Sequence, residues 1–346
     1  MKAENWSKRR EELYDCIIQR EYGGMPTDDV ETQIVLRARG SINNSAWPKG
    51  TTYSTYELHI CFADHRQLSL TLSLWYPPGK GPFPVVLDGD GCWHYFNDEV
   101  IRQVVCRGNI AASFDRTEVA ADNKDCYRET GLYRLFPDAV YGVLSAWAWA
   151  YHRCIDALYS LECVRTDAIA VTGHSRGGKA ALLAGATDKR IAVTNPNCSG
   201  IGGAGLHQLK AKGSEIINSF FSSGNIFWFS NEFAAFRHRD AELPYDQHFM
   251  HAMVAPRRLL LTDAYEDAGA NPQGTYVACQ AARAVYDLLG AQKTINWVMR
   301  EGGHSHDPAD YISLLDFMDR DLHQRTVKRE FQRELFPDVE TYLSAP

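Results

Sequence analysis

The chain has 346 residues, of which 45% are hydrophobic, 12% aromatic and 23% charged. This composition supports a sizeable core and excludes a disordered chain, a collagen-like fibre and a small disulfide-held scaffold. The formal net charge of −7 gives no basic excess for nucleic acid, and no run of about eighteen apolar residues predicts a membrane span.

The start of the chain and the cysteines predict a cytoplasmic protein. Residues 5–20 are charged and helix-like, whereas a secretory signal needs an apolar segment after its basic start. Nine cysteines are an odd number and none form a CxxC pair, so neither a disulfide framework nor a zinc cluster is predicted. We expect reduced thiols in the cytoplasm, unless an export signal has been removed.

After this helix, the apolar patterns predict strands that increasingly alternate with helices. Residues 55–62 and 67–76 form an antiparallel hairpin at a sheet edge. Further strands are predicted at 83–87, 109–113, 168–172, 191–195, 257–262 and 294–299, and helices at 137–160, 176–187, 275–289 and 309–323. The alternation is typical of an α/β fold with a mainly parallel sheet. We predict one domain over residues 1–346, in which the segment 1–80 joins the same sheet.

A nucleophile motif lies between strand 168–172 and helix 176–187. Gly173-His174-Ser175-Arg176-Gly177 has the form G-x-S-x-G, and glycines on both sides of a serine permit a sharp strand-to-helix turn. Such a turn exposes the Ser175 hydroxyl at a helix N-terminus, where backbone N–H groups can stabilise an oxyanion. The alternative is a tight turn that holds a serine for structural reasons.

A serine nucleophile also needs a base and an acid, which in this architecture follow it along the chain in the order acid, then histidine. Asp263, Glu266 and Asp267 follow strand 257–262, and His304 and His306 follow strand 294–299. Both groups lie at the carboxyl ends of strands, where open α/β sheets form their sites. Spacing alone does not choose among them.

The chain from about 83 to 323 resembles the glucuronoyl esterases of carbohydrate esterase family 15. The specific blocks are LSAWAWAYHRCIDAL and VTGHSRGGKAALLAGATDKRIAVTNPNCSGIGGAG, supported by SFDRTEVAADN, LPYDQHFMHAMVAPRRLLL and GGHSHD. The resemblance implies an α/β-hydrolase fold and hydrolysis of the ester that joins 4-O-methyl-glucuronic acid of xylan to lignin alcohols.

The resemblance also assigns roles around the motif. Ser175 matches the nucleophile, and Arg176 matches an arginine whose backbone and side chain stabilise the oxyanion. Lys179 matches a lysine that contacts sugar hydroxyls, with a solvated helix lysine as the alternative. Glu215 is similar to a sugar-binding glutamate of bacterial members. In the mechanism that these roles predict, the loop after strand 83–87, around Gly91 and Cys92, is expected to help stabilise the oxyanion.

For the base, the family's histidine directly precedes a cysteine or an aspartate. His306, followed by Asp307, fits this pattern, and we take it as the base with His304 as the alternative. Secreted members bridge the residue before the serine to the residue after the histidine by a disulfide. In this chain those positions would be His174 and Asp307, which we expect to form a polar contact.

The acid departs from the common family pattern. Many members carry a glutamate in a P-x-E-S-G segment, where this chain has Cys198. A second family arrangement places the acid on the later strand, where this chain has Asp267, which we take as the acid with Glu266 as its rival. A tryptophan that helps hold the uronate usually follows, but Ala268 and Gly269 stand there.

Together these features predict a serine esterase that needs no metal or organic cofactor. Its expected partner is a small-molecule or oligosaccharide ester of a uronic acid or related sugar acid, with neither nucleic acid nor membrane involved. Two alternatives stay open: a deacetylase or other small-ester hydrolase on the same scaffold, and a non-catalytic carbohydrate-binding relative.

Overall fold

The computed structural model describes residues 2–337. A nine-stranded sheet has the strand order β1-β2-β3-β5-β4-β6-β7-β8-β9. The strands are Val30–Ser41, Thr52–Phe62, Gln67–Tyr76, Phe83–Asp88, Ile110–Phe114, Val164–His174, Val193–Asn197, Arg258–Ala264 and Ile295–Arg300, numbered β1 to β9. Strands β1, β2, β3 and β5 pair antiparallel, and all pairs from β5 to β9 across the sheet are parallel.

Helices cover both faces of this sheet. The α-helices are Trp6–Leu13, Asp98–Cys106, Gly131–Leu135, Val143–Tyr159, Arg176–Thr187, Ile217–Ser222, Asn231–Ala234, His248–Val254, Pro272–Leu288 and Pro308–Asp321, numbered α1 to α10. A π-helix, Tyr14–Tyr22, continues α1. No helix of the described part of the chain is both long and apolar enough to cross a membrane.

The alternation of side chains along the strands creates two cores. On β4, Val85 and Leu87 belong to the larger core, which contains α4, α5 and α9, whereas Val86 points into the smaller core under α2 and α10. Successive residues of a strand face opposite sides, so a strand between two helical layers must be apolar throughout. The predicted α/β-hydrolase class, with antiparallel N-terminal strands, is confirmed.

Some element boundaries differ from those predicted. The polar edge strand β1, Val30–Ser41, was not predicted because its mostly exposed side chains give no apolar alternation. Helix α4 begins at Val143 rather than at Pro137, because Gly142 is extended and forms its N-cap. The segment between β7 and β8 folds into the short helices α6, α7 and α8, and its residues Glu215 and Trp228 contact Lys179 and Arg176 near the start of α5.

Candidate active site

Ser175 stands on a strained turn between β6 and α5. Its backbone angles are φ 54° and ψ −121°, a region that residues with side chains rarely adopt. A Cβ on Gly173 would lie 2.6 Å from the carbonyl oxygen of Gly177, and one on Gly177 would overlap the carboxylate of Asp90. Only glycine fits at both positions, so the turn holds the Ser175 hydroxyl above the sheet at the start of α5.

His304 contacts both Ser175 and a carboxylate. Its Nε2 lies 2.9 Å from Oγ of Ser175, and its Nδ1 lies 2.6 Å from Oδ2 of Asp267. With Nδ1 protonated toward the carboxylate, Nε2 is free to accept the serine proton. This is the arrangement in which a serine, a histidine and an acid act together in acyl transfer.

Asp267 is held as an anion beneath the imidazole. Its side chain is only 5% exposed, and Oδ1 also accepts the backbone N–H of Ala270 at 3.3 Å. Burial pushes its pKa up, but the hydrogen bond and charge of His304, helped by Ala270 and Cys198, outweigh burial and lower the pKa. Glu266, the rival acid, is exposed, and its backbone N–H donates to Gly302.

The expectation that His306 is the base is wrong. His306 is 3% exposed and stacks on Tyr311 with ring centroids 3.8 Å apart. Neither of its ring nitrogens has a hydrogen-bond partner among the described residues. Burial, with nearby His174 and Arg300, lowers its pKa well below the ordinary value, so the ring is neutral. The residue that the loop places next to Ser175 is therefore His304, two positions before the predicted His306.

The expected contact between His174 and Asp307 is also absent. Nδ1 of His174 lies 2.6 Å from Oδ1 of Asn197, and burial lowers the His174 pKa to about 4. Asp307 instead caps α10 by accepting the backbone N–H of Ala309 at 2.9 Å. Because His304 is the histidine at the serine, the residue that follows it is Ser305, not Asp307.

Arg176, directly after the nucleophile, is clamped beside the turn. Its Nη1 donates to Oδ2 of Asp122 at 3.0 Å, and the guanidinium lies 4.5 Å from the Trp228 ring and 5.4 Å from the Trp93 ring. Trp228 fixes Asp122 in turn, since its Nε1 donates to Oδ1 at 3.1 Å. Nε of Arg176 is buried and has no hydrogen-bond partner among residues 2–337, whereas the side chain as a whole is 30% exposed, so the remaining Nη N–H groups are the donors that a ligand can reach.

Two residues that sequence reasoning did not single out position this site. Asp122 orients Arg176, and Arg300 orders the loop that bears His304. The Arg300 guanidinium donates to the carbonyl oxygens of Glu301, Gly303 and Ser305 at 3.0, 3.2 and 2.6 Å, and Nε reaches Asp310 at 2.9 Å. Asp122 lies in the block SFDRTEVAADN, which by itself assigns it no role, and Arg300 lies outside the quoted blocks, so the tertiary contacts of the two residues reveal what they do.

The loop after β4 does not supply the expected oxyanion donor at Gly91. The Gly91 N–H donates to the carbonyl oxygen of Phe114 at 3.1 Å, so it is already used. The neighbouring Asp90 instead braces the nucleophile turn, because its Oδ2 accepts the backbone N–H of His174 at 2.6 Å. Arg116, fully buried, pairs with the other oxygen of Asp90.

Lys179 lies one turn along α5 and is fully engaged. Its Nζ contacts the carbonyl oxygens of Ser199 and Ile201 at 2.5 and 2.7 Å and Oε2 of Glu215 at 3.3 Å. An ammonium has three protons, so these partners use all of them. Glu215 is half-buried, and its Oε1 has no hydrogen-bond partner among the described residues, so this oxygen can accept from a ligand.

Cys198 occupies the position of the expected family glutamate and faces the acid from behind. The residue is 1% exposed and has φ 43°. Burial, reinforced by Asp263 and Asp267, raises the pKa of its thiol, which is therefore protonated. A neutral thiol cannot stabilise an imidazolium as a carboxylate does, so Asp267 alone supplies that charge to His304.

Comparison with known proteins relates the sequence of this chain to carbohydrate esterases. A family model described as "Glucuronyl esterase, fungi" matches residues 61–290. A 4-O-methyl-glucuronoyl methylesterase of Wolfiporia cocos is 34% identical over 270 residues, which cover 74% of this chain and 64% of the relative. Carbohydrate esterase MZ0003, from an unknown prokaryote, is 34% identical over 198 residues, 53% of this chain and 45% of that protein.

Solved structures agree with these sequence matches. A carbohydrate esterase family 15 glucuronoyl esterase from Caldicellulosiruptor kristjansonii superimposes with a TM-score of 0.85 at 30% identity, covering all of this chain and 93% of that one. A glucuronoyl esterase of the same family from Teredinibacter turnerae gives 0.82 at 25% identity, with 93% and 86% covered. This chain spans between about half and two thirds of the length of the first curated relatives.

Proposed function

This chain belongs to the fungal-type glucuronyl esterase family, and from that premise we propose that it is a serine hydrolase of esters of uronic or related sugar acids. The observation that carries the proposal is the continuous contact from Ser175 through His304 to Asp267, with separations of 2.9 and 2.6 Å. This is the geometry that makes a serine hydroxyl nucleophilic.

The reaction proceeds in two steps. His304 Nε2 takes the proton of Ser175 as Oγ attacks the ester carbonyl, and Asp267 stabilises the imidazolium that forms. Arg176 stabilises the oxyanion of the tetrahedral intermediate through its backbone N–H at the start of α5 and through its guanidinium. His304 then protonates the leaving alcohol, and water activated by the same ring releases the acid from Ser175.

Two contacts support recognition of a sugar beside the nucleophile. Glu215 keeps its Oε1 unpartnered while Lys179 holds its Oε2, so the carboxylate is oriented and can accept hydrogen bonds from sugar hydroxyls. Lys179 then acts on the substrate through Glu215 and through the loop at Ser199, rather than by donating a proton of its own. Ala268 and Gly269, which stand where the resemblance expects a larger aromatic residue, lie beside this carboxylate, since the backbone N–H of Glu215 donates to the Gly269 carbonyl oxygen at 3.0 Å.

The test is a comparison of kcat/KM on methyl 4-O-methyl-glucuronate and on an acetylated xylose, with S175A as the control. We expect the uronate ester to be preferred by more than about tenfold, since one well-placed hydrogen bond to a substrate hydroxyl is worth about 1–3 kcal/mol. Preference for the acetyl ester would make the protein a deacetylase. Absence of turnover, with no reaction of Ser175 toward a phosphonate, would make it a non-catalytic relative.

A cytoplasmic location remains part of the proposal. All nine cysteines carry free thiols, as expected of a protein that works in a reducing compartment. Fractionation of the source cells, with an antibody against the protein, tests this directly. Recovery of the protein in the medium or the periplasm would contradict it.

A further inference from the structure

Cys198, Asp267 and His304 bring a thiol, a carboxylate and an imidazole together on the side of the ring opposite Ser175. One ligand atom from each residue lies within 4.8 Å of the other two. Sulfur, oxygen and nitrogen donors in this combination are those that Zn²⁺ takes in proteins. The cysteine and the aspartate are buried, whereas the His304 side chain is 47% exposed and gives the group an opening to solvent.

We propose that these three side chains bind one Zn²⁺ ion and that the bound ion inactivates the enzyme. The binding follows from the donor set alone, and the inactivation rests on the proposed function of Ser175 and His304. Zinc inhibition of this enzyme then depends on Cys198, the residue that stands in place of the expected glutamate.

The ligand spacing requires only small movements. Tetrahedral zinc with bonds of about 2.0 Å to nitrogen and oxygen and about 2.3 Å to sulfur holds its ligand atoms roughly 3.3–3.7 Å apart. Nδ1 of His304 and Oδ2 of Asp267 are 2.6 Å apart and must separate by about 0.7 Å, which the half-exposed imidazole permits. Water completes the coordination, as in zinc sites with three protein ligands.

The proton balance explains why binding stops catalysis. The Cys198 thiol loses its proton to solvent and becomes a thiolate ligand. The Nδ1 proton of His304 is displaced by zinc, and the neutral ring takes the tautomer with the proton on Nε2. Nε2 then donates to Ser175 instead of accepting from it, so the base is lost. One proton is released for each zinc ion bound.

A second cluster of ligating residues does not compete. Ligand atoms of Asp88, Asp90 and His306 also lie close together, but their carboxylate oxygens are already used. Asp88 accepts the N–H of Asp90 and the hydroxyl of Tyr311, while Asp90 accepts the N–H of His174 and pairs with Arg116. The cluster is buried throughout, so an ion has no route to it.

The experiment measures metal binding directly in the full chain. Zn²⁺ titration by calorimetry gives the stoichiometry, and Co²⁺ substitution reports a thiolate ligand through its sulfur-to-cobalt charge-transfer band. We expect one ion per chain, a charge-transfer band in the unmodified protein and in C279A, and no band in C198S. Zinc affinity falls by more than about tenfold in C198A and in H304A.

H304A changes a half-exposed side chain, so it keeps the test decisive if the buried C198A variant does not fold. Binding that is absent at millimolar zinc, or that persists unchanged in H304A or C198S, overturns the proposal. Loss of esterase activity by zinc in the unmodified protein supports its second half. If the protein has no esterase activity at all, the cobalt band still decides whether the site exists.

Discussion

Nε2 of His304 lies 2.9 Å from Oγ of Ser175, and the other nitrogen of the same ring lies 2.6 Å from Asp267. His306, two residues further on, lies behind His174 in the core. The loop that carries both histidines is held in place by Arg300, which donates hydrogen bonds to three of its carbonyl oxygens. The placement of one ring is thus set by a side chain at the end of the preceding strand.

The first prediction concerns the acid. D267N removes the negative charge under His304 and favours the wrong tautomer, so kcat falls by about three to four orders of magnitude. E266Q is the matched control, because Glu266 is exposed and contributes only its backbone N–H to the loop. Steady-state kinetics on a uronate methyl ester measures both, and an equal loss in the two variants would refute the assignment of Asp267.

The second prediction concerns Arg176 and its support. R176A loses the oxyanion donor, and kcat falls by about 10²- to 10³-fold. D122N leaves the guanidinium in place but weakens its anchor, so we expect a smaller loss, of about tenfold, in kcat with little change in KM. W228F removes the Nε1 donor to Asp122 but keeps an aromatic ring beside the Arg176 guanidinium, so it is the milder control. A larger effect of D122N on KM than on kcat would argue against a positioning role.

The third prediction concerns pH and stability. The ordinary pKa of a histidine is near 6.5. Burial lowers the pKa of His306 well below this value, and it lowers the pKa of His174 to about 4. Below about pH 6.5 the unfolded chain therefore binds more protons than the folded chain. As the pH falls, each of these histidines lowers the free energy of unfolding by up to about 1.4 kcal/mol per pH unit, until the pH reaches the pKa that the histidine has in the folded chain.

H306F keeps the stack on Tyr311 and removes one of these titrations. Urea unfolding at pH 7 and pH 5 should show a smaller loss of stability for H306F than for the unmodified protein, because the phenyl ring cannot be protonated. The variant should also retain esterase turnover within about threefold at pH 7. An unchanged pH dependence would show that His306 is not a neutral buried ring.

The fourth prediction concerns the sugar-binding wall. E215Q keeps the shape of the side chain but removes the charge that accepts sugar hydroxyls, so KM for the uronate ester rises by about tenfold while kcat changes little. K179M should instead lower thermal stability, since it leaves the carbonyl groups of Ser199 and Ile201 without their shared donor. If K179M raised KM with no loss of stability, Lys179 would contact the substrate itself.

Much of the fold was predictable because the strands with a buried face carry regular apolar patterns, which alternate in the antiparallel β3 and are continuous in the parallel β4. Strand β3 and helix α5 begin and end at the predicted residues, and the strand-to-helix turn at Ser175 lies where G-x-S-x-G placed it. Strand β1 was not predictable, because an exposed edge strand is held by backbone hydrogen bonds to β2 that leave no apolar pattern.

The site was predictable only in part. The motif located the Ser175 turn, but the base depended on the path of the seven-residue loop 301–307, whose anchor, Arg300, carries no sequence signal. Both His304 and His306 fit the spacing, and the family pattern of a following aspartate favoured the buried one. The role of Asp122 was not predictable either, because its contact with Arg176 joins residues that are 54 positions apart in the sequence.

The most direct test of the account is kcat/KM of H304A beside that of H306F on methyl 4-O-methyl-glucuronate at pH 7. We predict a loss of about 10⁴-fold or more for H304A, because no other base is hydrogen-bonded to Ser175 Oγ among residues 2–337, and near-normal turnover for H306F. Full turnover by H304A, or its loss in H306F alone, would contradict the assignment of His304 as the base.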